Sequence, residues 1–302
     1  SSSYSCRLLP YAETRDPVAA VTAAATDLKK LDWTNWGVVT GTAQGSRYLV
    51  AAYDECNITC DFDLEYPSIS VTVFEGEGTE ASPFLIKQRD DMILLSDKVA
   101  GGETYEGVFF KVVNDIDMDG YKVTPVGNNQ NKFNATFDGD NHTISNYVVD
   151  DKGMYMGLFG YADAASVIKN LTVDGAEVKA QNYYSGIVVA QSNGTIDNVH
   201  VVNSSIYSTG MAAGGLAGIA YNISNCSVKD TEITSLYGYT GGVAAEVSAP
   251  ISNCFAQNVN IVCATVSGST PGYPTGGVVG NLFFTTMDNC WFSGIIDGYS
   301  QH

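Results

Sequence analysis

Three sets of residues in this 302-residue chain have types and spacings that could do chemistry. The first is Asp115, Asp117, Asp119 and Gly120, which match the opening half of a calcium loop, D-x-D-x-D-G. Such a loop closes on an acidic twelfth residue, and here that place is held by Val126, which has no side-chain ligand. Calcium is the one cofactor the sequence raises. The second set is the carboxylates Asp174, Asp197, Asp230, Glu232 and Glu246. A pair of carboxylates at a fixed separation can hydrolyse a glycosidic bond, but these stand at non-equivalent places in the repeats described below. A polysaccharide lyase needs a basic residue; Lys169, Lys179 and Lys229 are isolated, and no Arg follows Arg89. His142, His200 and His302 suggest no Ser/His/Asp or Cys/His constellation. The third set is aromatic: Tyr155, Tyr183, Tyr184, Tyr207, Tyr237, Tyr239 and Tyr273 all lie shortly before a Gly-rich run. A tyrosine has a flat apolar face and a polar tip, which suits a sugar or a protein partner. The alternative is that these rings only cover an edge of the fold.

The elements that must position these residues are repeats. IKNLTVDGAEV (168–178), IDNVHVVNSSI (196–206), ISNCSVKDTEI (223–233) and ISNCFAQNVNI (251–261) align with one another, MDNCWFSGII (287–296) follows, and ISNYVV (144–149) precedes. Asn146, Asn170, Asn198, Asn225, Asn253 and Asn289 are equivalent in this alignment, at spacings of 24, 28, 27, 28 and 36. Upstream of most of them stands a Gly-plus-apolar run: GLFG (157–160), GIVV (186–189), GGLAG (214–218), GGVAA (241–245) and GGVVG (276–280). Val, Ile, Thr and Gly alternating with period two argue for short strands rather than helices. A unit this small cannot bury its apolar side alone; stacking units about 4.8 Å apart does so.

The alignment predicts four interior rows. They are Ile144, Ile168, Ile196, Ile223, Ile251 and Met287; then Tyr147, Leu171, Val199, Cys226, Cys254 and Cys290; then Val149, Val173, Val201, Val228, Ala256 and Phe292; then Val178, Ile206, Ile233 and Ile261. The three repeat cysteines are read as small buried fillers in place of Leu and Val, with metal binding disfavoured because a single file lacks convergent geometry. The Asn row lies between two interior rows and is expected to point outward or to sit at a bend; Asn tolerates the left-handed conformation of a tight corner, and stacked amides can bond from coil to coil.

Composition bounds the function. Apolar residues are 45% of the chain and charged residues only 16%, so Asn, Ser, Thr, Gly and 18 Tyr must cover much of the surface, as in many extracellular β proteins. A formal charge of −18 with 15 Lys and Arg argues against nucleic-acid binding and a polybasic membrane contact. No apolar run is long enough to span a membrane. The chain starts at Ser1 rather than Met, as expected if an export or lipid-anchor segment has been removed. Seven Cys is an odd number; two of Cys6, Cys56 and Cys60 could pair.

Residues 76–160 carry a more specific text. Gly76, Gly78 and Thr79 are followed by Pro83, a short helix at 90–100 (DDMILLSDKVA), the strand Asp115–Asp117, the turn Pro125–Gly127, the segment FNATFDGDNHTI (133–144) and GLFG (157–160). The order resembles the opening of bacterial surface proteins with GLUG-type repeats, over about three-quarters of the chain. In later repeats GIVV and GVAA replace GLFG, a departure from that pattern. The resemblance implies a right-handed parallel β-helix on an exported, adhesin-like or protease-associated surface protein, and no shared activity. It places His142 in the FDGDNHTI turn, hydrogen-bonded to the backbone. The helix, with Asp90 as N-cap and Gly101–Gly102 as stop, is expected to plug the first coil with Ile93, Leu94 and Val99.

The expected architecture is all-β. A small sandwich-like domain occupies 1–75, with strands at 21–25, 36–42, 47–53, 57–63 and 68–74 and a helical turn or loop at 26–33. A linker near Glu75–Ser82 leads into a parallel β-helix over 76–302, with an N-terminal cap (76–143) and about six coils. The expected function is adhesion or binding at the bacterial cell surface, through the tyrosine-lined face, to a host or microbial glycan or protein. A polysaccharide-degrading enzyme and a non-catalytic spacer are the alternatives.

Overall fold

The computed structural model describes Leu9–Pro10, Trp36–Ala43, Ser46–Tyr53 and residues 74–263 and 273–298. The chain divides into two units, Ser1–Val73 and Phe74–His302. In the first, the three strands Leu9–Pro10, Trp36–Ala43 and Ser46–Tyr53 form an antiparallel sheet in which Trp36 pairs Tyr53 and Ala43 pairs Ser46. The last two are the strands expected at 36–42 and 47–53. The strands expected at 21–25 and 57–63, that at 68–74 up to residue 73, the segment 26–33, and Cys6, Cys56 and Cys60 lie outside the described residues.

The second unit is a parallel β-solenoid of about six turns. Its interior is built from in-register rows. Phe84, Phe110, Phe137, Ile168, Ile196, Ile223, Ile251 and Met287 form one. Ile116, Ile144, Val173, Val201, Val228, Ala256 and Phe292 form the next. Val149, Val178, Ile206, Ile233, Ile261 and Ile296 form a third. From Phe110 to Ile251 the first row is fully buried. Each buried Ile or Phe contributes roughly 1.5–3 kcal/mol by leaving water. No coil could bury these residues alone, so stability resides in the contacts between coils.

The first expected coil is out of place by one side. Ile144 belongs with Val173 rather than Ile168, Val149 belongs with Val178, and Tyr147 lies level with Ala176. The cause is that each coil turns at two left-handed corners, not one. Asn170, Asn198, Asn225, Asn253 and Asn289 hold φ of 49 to 56° at the first corner. Asn146 (φ 56°) sits at the second, with Gly175, Asn203, Asp230 and Asn258. Both corners need a residue that accepts positive φ, so both use Asn.

The expected amide ladder is present. Asn198 Nδ2 donates to Asn170 Oδ1 (2.9 Å), Asn253 to Asn225 (3.1 Å) and Asn289 to Asn253 (2.7 Å); Asn225 turns instead to Asp197 Oδ1 (2.7 Å). At the second corner Asn203 donates to Asp174 (2.9 Å) and Asn258 to Asp230 (2.6 Å). The cysteine file lies inside, with Cys226 and Cys254 buried and Cys290 partly so. The thiols are more than filler. Cys226 Sγ accepts the Val199 N–H and Cys254 Sγ accepts the Cys226 N–H, each at 3.4 Å, while each thiol donates to the carbonyl two residues back. Sulfur therefore satisfies buried corner N–H groups that Leu or Val would leave to other partners.

The coils begin earlier than 144, because Phe84–Ile86 already pairs in parallel with Phe109–Val112 and that strand with Thr136–Asp138. Residues 75–82 are a tight turn of the first coil rather than a linker: Leu85 N–H bonds Glu75 O (2.8 Å) and Glu77 N–H bonds Ser82 O (2.9 Å). The helix α1 (Arg89–Ala100) starts one residue before the expected span. Its N-cap is Gln88 and not Asp90, because Asp91 reaches back to the Gln88 and Lys87 N–H groups in a capping box. It ends at Gly101, as expected. Met92, Leu95 and Val99 plug the core, whereas Ile93 and Leu94 stay half-buried one helical face away. Ser96 Oγ fastens α1 to Thr124 O (2.9 Å).

Candidate functional site

The candidate site lies where each coil passes from a short strand into a longer one. The short strands Tyr155–Met156, Tyr184–Gly186, Ala212–Gly214, Tyr239–Gly241 and Thr275–Gly276 make a five-stranded parallel sheet. On its outer face Tyr155, Tyr184, Ala212 and Tyr239 stand in register. The following strands place Tyr161, Gln191, Ile219, Glu246 and Asn281 in a second register row. The rings of Tyr155 and Tyr161 meet at 5.2 Å. The two rings therefore close over the bend between these consecutive strands. Gly160 and Gly218 are required mainly by the close approach of the neighbouring coil, since an added Cβ would fall 2.2 Å from Gly127 O and 2.5 Å from Ala190 O, and secondarily by the bend, at 3.3 Å from Tyr155 O and 2.9 Å from Ser185 N.

Two aromatic groups occupy this edge. Tyr155 packs on Tyr161 and Tyr184 (5.2 and 5.7 Å), and Tyr183 packs edge-on against Tyr184 (5.9 Å). Tyr237 and Tyr239 both pack on Tyr273 (4.7 and 5.3 Å), and the Tyr237 and Tyr273 hydroxyls bond at 2.6 Å. Between the groups the row drops to Ala212, buried among its neighbours, with Met211 exposed beside it. Gln191 and Asn193 each donate to the Tyr161 hydroxyl at 3.1 Å, and Asn281 donates to Glu246 Oε2 at 2.8 Å. Partial burial holds the Tyr155 and Tyr184 hydroxyls above the usual tyrosine range, and the Glu246 carboxylate adds to the effect on Tyr184. Both hydroxyls therefore stay neutral donors at physiological pH.

Of the seven predicted tyrosines, the structure brings six to this edge. Tyr207 is not among them. It lies beyond the second corner, on the strand Ser205–Ser208, between Lys179 and Thr234. Tyr161 joins the six without being expected there: period two from the fully buried Phe159 would turn it inward, and the alternation is interrupted at Gly160.

The Asp115, Asp117 and Asp119 run serves the corners. Asp115 Oδ1 accepts the Thr143 N–H (2.9 Å) and contacts His142 Nδ1 (3.1 Å), so the His142 ring meets a carboxylate rather than the backbone. Asp117 Oδ1 accepts from Asn146 Nδ2 (3.0 Å) and Asp119 N–H (2.9 Å). Asp119 is itself a left-handed turn residue, and Val126 is buried. These bonds hold the Asp115 and Asp117 carboxyls below the usual carboxylate range. Among the described residues no three His, Cys, Asp or Glu converge as metal ligands. The repeat carboxylates are also engaged: Asp197 with Ser224 Oγ and Asn225, Asp174 and Asp230 in the corner ladder, and Glu246 with Asn281. Glu177, Asp230 and Glu232 line a shallow, open depression of about 410 Å³ at the second corner, away from the tyrosines.

Comparison with known proteins gives the same picture of the fold. The GLUG motif matches residues 209–234, the coil that carries Met211 and Ala212. Halomucin of Haloquadratum walsbyi is 34% identical over 140 residues, which cover 42% of this chain and 2% of that protein. A proposed Gly-rich membrane protein of Evansella cellulosilytica is 28% identical over 135 residues, covering 42% of this chain and 15% of that protein. The chain thus spans only a small part of the curated relatives it matches. A crystal structure of a proposed immunoglobulin A1 protease from Bacteroides ovatus superimposes with a TM-score of 0.56 at 20% identity, over 74% of this chain and 79% of that one. Among the described residues no helix is long and apolar enough to cross a membrane. Motif, register and structural likeness agree that this chain is a parallel β-solenoid bearing a GLUG motif.

Proposed function

We propose that this chain is a binding module of a cell-surface protein and that its tyrosine-lined edge takes a glycan. The observation that carries the reading is the gathering of Tyr155, Tyr161, Tyr183 and Tyr184, and of Tyr237, Tyr239 and Tyr273, along one edge of the stack. The tilted and edge-on tyrosine rings offer apolar faces, while their hydroxyls and the Gln191, Asn193, Glu246 and Asn281 side chains offer hydrogen bonds beside them. That combination suits a pyranose, which has apolar faces and a polar rim. The surface setting is supported by the relatives, one of them described as a membrane protein. One observation favours a spacer instead: the rings pack on each other, as edge cover would.

A glycan-array screen of the intact chain, with calcium and with chelator, separates the two. The expected result is a calcium-independent hit that Tyr184→Ala or Tyr239→Ala weakens by about tenfold or more, on the scale of a lost aromatic contact. Tyr207→Ala should leave it unchanged. No hit on the array, or equal loss with Tyr207→Ala, rejects the glycan edge.

A further inference from the structure

One carboxylate in the tyrosine edge has no cation beside it. Glu246 occupies the second register row, between Ile219 and Asn281. Tyr239 and Glu246 are the counterparts, in their coil, of Tyr184 and Gln191 and of Tyr155 and Tyr161. The Tyr155 and Tyr161 rings meet at 5.2 Å, so this register sets the Glu246 side chain beside Tyr239. Its charge also reaches Tyr184, where it adds to burial in holding the hydroxyl above the usual tyrosine range. Glu246 Oε2 accepts from Asn281 Nδ2 at 2.8 Å, and Oε1 has no partner among the described residues. Ala212 and Ile219, in the coil between Tyr184 and Tyr239, bring neither a ring nor a charge.

After Lys152 the sequence has three Lys and no Arg. Lys169 pairs with Asp138 (3.3 Å), Lys179 pairs with Glu177 (3.8 Å), and Lys229 lies over the Phe255 ring (5.2 Å). All three stand in rows other than those of the edge. Among the described residues Glu246 is in no ion pair. The first coil of the same edge shows what such a group does with a cation at hand. Lys132 Nζ lies 4.8 Å from the centre of the Tyr161 ring and 3.4 Å from Asp163 Oδ1. An ammonium is held there between a tyrosine face and a carboxylate, both of which attract positive charge. At Glu246 the chain supplies the tyrosines and the carboxylate but no ammonium of its own.

We propose that Glu246, with Tyr184 and Tyr239, binds the ammonium group of an amino sugar, so that the glycan taken by this edge carries free amines. The inference rests on the glycan reading and narrows it. A formal charge of −18 favours a cationic ligand and opposes a uronate or sulfated chain. N-acetylation of the amine removes its charge and its ion pair with Glu246, and leaves the apolar faces of the sugar to the rings.

The test is calorimetric titration of the intact chain with a glucosamine tetramer and with an N-acetylglucosamine tetramer. The expected result is that the first binds at least about tenfold tighter than the second, with a preference that added salt weakens. Glu246→Gln, nearly isosteric and still able to accept from Asn281, should remove most of that preference. Glu232→Gln, the same loss of charge at an exposed position away from the tyrosines, should leave it. Equal affinity for the two tetramers, or a preference that survives Glu246→Gln, overturns the ammonium site and leaves the glycan edge standing. Equal loss with Glu232→Gln also overturns it, by tracing the preference to net charge. Nα-acetyl-lysine amide bound as tightly as the glucosamine tetramer overturns it in favour of a peptide amine. Failure of both tetramers to bind overturns it too, and the glycan edge falls with it only if the array is blank.

Discussion

The first coil and the last coil use the same strand register and the same kinds of side chain, yet one is sealed and the other is not. At the sealed end Phe110 of the first row and Leu95 of the capping helix have no exposed surface; at the other end Met287 of the same first row and Ile296 of the third row are nearly half exposed. A row residue is stabilised only by what stacks on both of its sides. The difference teaches that, in a solenoid, position along the stack decides the energetic role of a residue more than its chemical type does.

The largest test of this contrast is a pair of truncations. Leu95→Ala should destabilise the second unit by about 2–5 kcal/mol, the range for a buried aliphatic side chain, whereas Ile296→Ala should cost less than about 1 kcal/mol. Urea denaturation of both variants measures it, and equal costs would break the comparison. The corners provide a smaller version. Asn253→Ala places Ala at φ 55° and removes amide bonds to both neighbouring coils, so a loss of about 1–3 kcal/mol is expected. Asn289→Ala keeps the strain but removes a bond on one side only, and should cost less. Asn253→Gly should recover the conformational part.

The thiol file sharpens the point at lower magnitude. Cys254→Val adds apolar volume but deprives the buried Cys226 N–H of its acceptor, so it should destabilise by about 1 kcal/mol. Cys290→Val, near the open end, should fall within about 0.5 kcal/mol of the parent. The smallest effect expected is that of pH on His200, midway along the stack. Burial, with Lys229 adding to it, depresses its imidazole pKa, and the neutral ring bonds Ser227 Oγ and Asn198 Oδ1. A depressed folded-state value means the unfolded chain binds the proton more readily. The contribution is thus whole above the ordinary histidine value and is lost as pH falls through the lowered one. His200→Gln should flatten that part of the stability curve between about pH 7 and pH 5.

Much of the stack was legible in the sequence because its rules are repeated. Five aligned repeats placed Ile168, Ile196, Ile223, Ile251 and Met287 in one row, as the pairing has them. What misled was the first copy. ISNY at 144 reads like the later ISNC, but two corners per coil accept the same residue, and local text cannot tell which one Asn146 occupies. Only the bonding of Ile144 to Val173 and Ile116 decides it. The helix cap failed for a related reason: Asp90 has the right residue type, while Asp91 has the right reach. At the tyrosine edge, the Gly-rich runs marked the neighbourhood of six rings, and Tyr207 was grouped with them although the alignment that puts Ile206 in the fourth row sets Tyr207 level with Lys179 and Thr234 instead.

The spacing of the corner asparagines carries one more consequence. From Asn225 to Asn253 it is 28 residues, and from Asn253 to Asn289 it is 36. Between Ser235 and Tyr239 the chain has 3 residues, and between the equivalent Cys263 and Thr275 it has 11, one of them aligned with Tyr239. Nearly all of the added length therefore enters at one corner, the one from which Tyr237 and Tyr273 project, while the amide ladder and interior rows continue through it in step. Length can be gained or lost there as freely as beads on one side of a frame. A further change of length between Cys263 and Thr275 is expected to leave the pairing of Ile251 with Met287 and of Ile261 with Ile296 as it is.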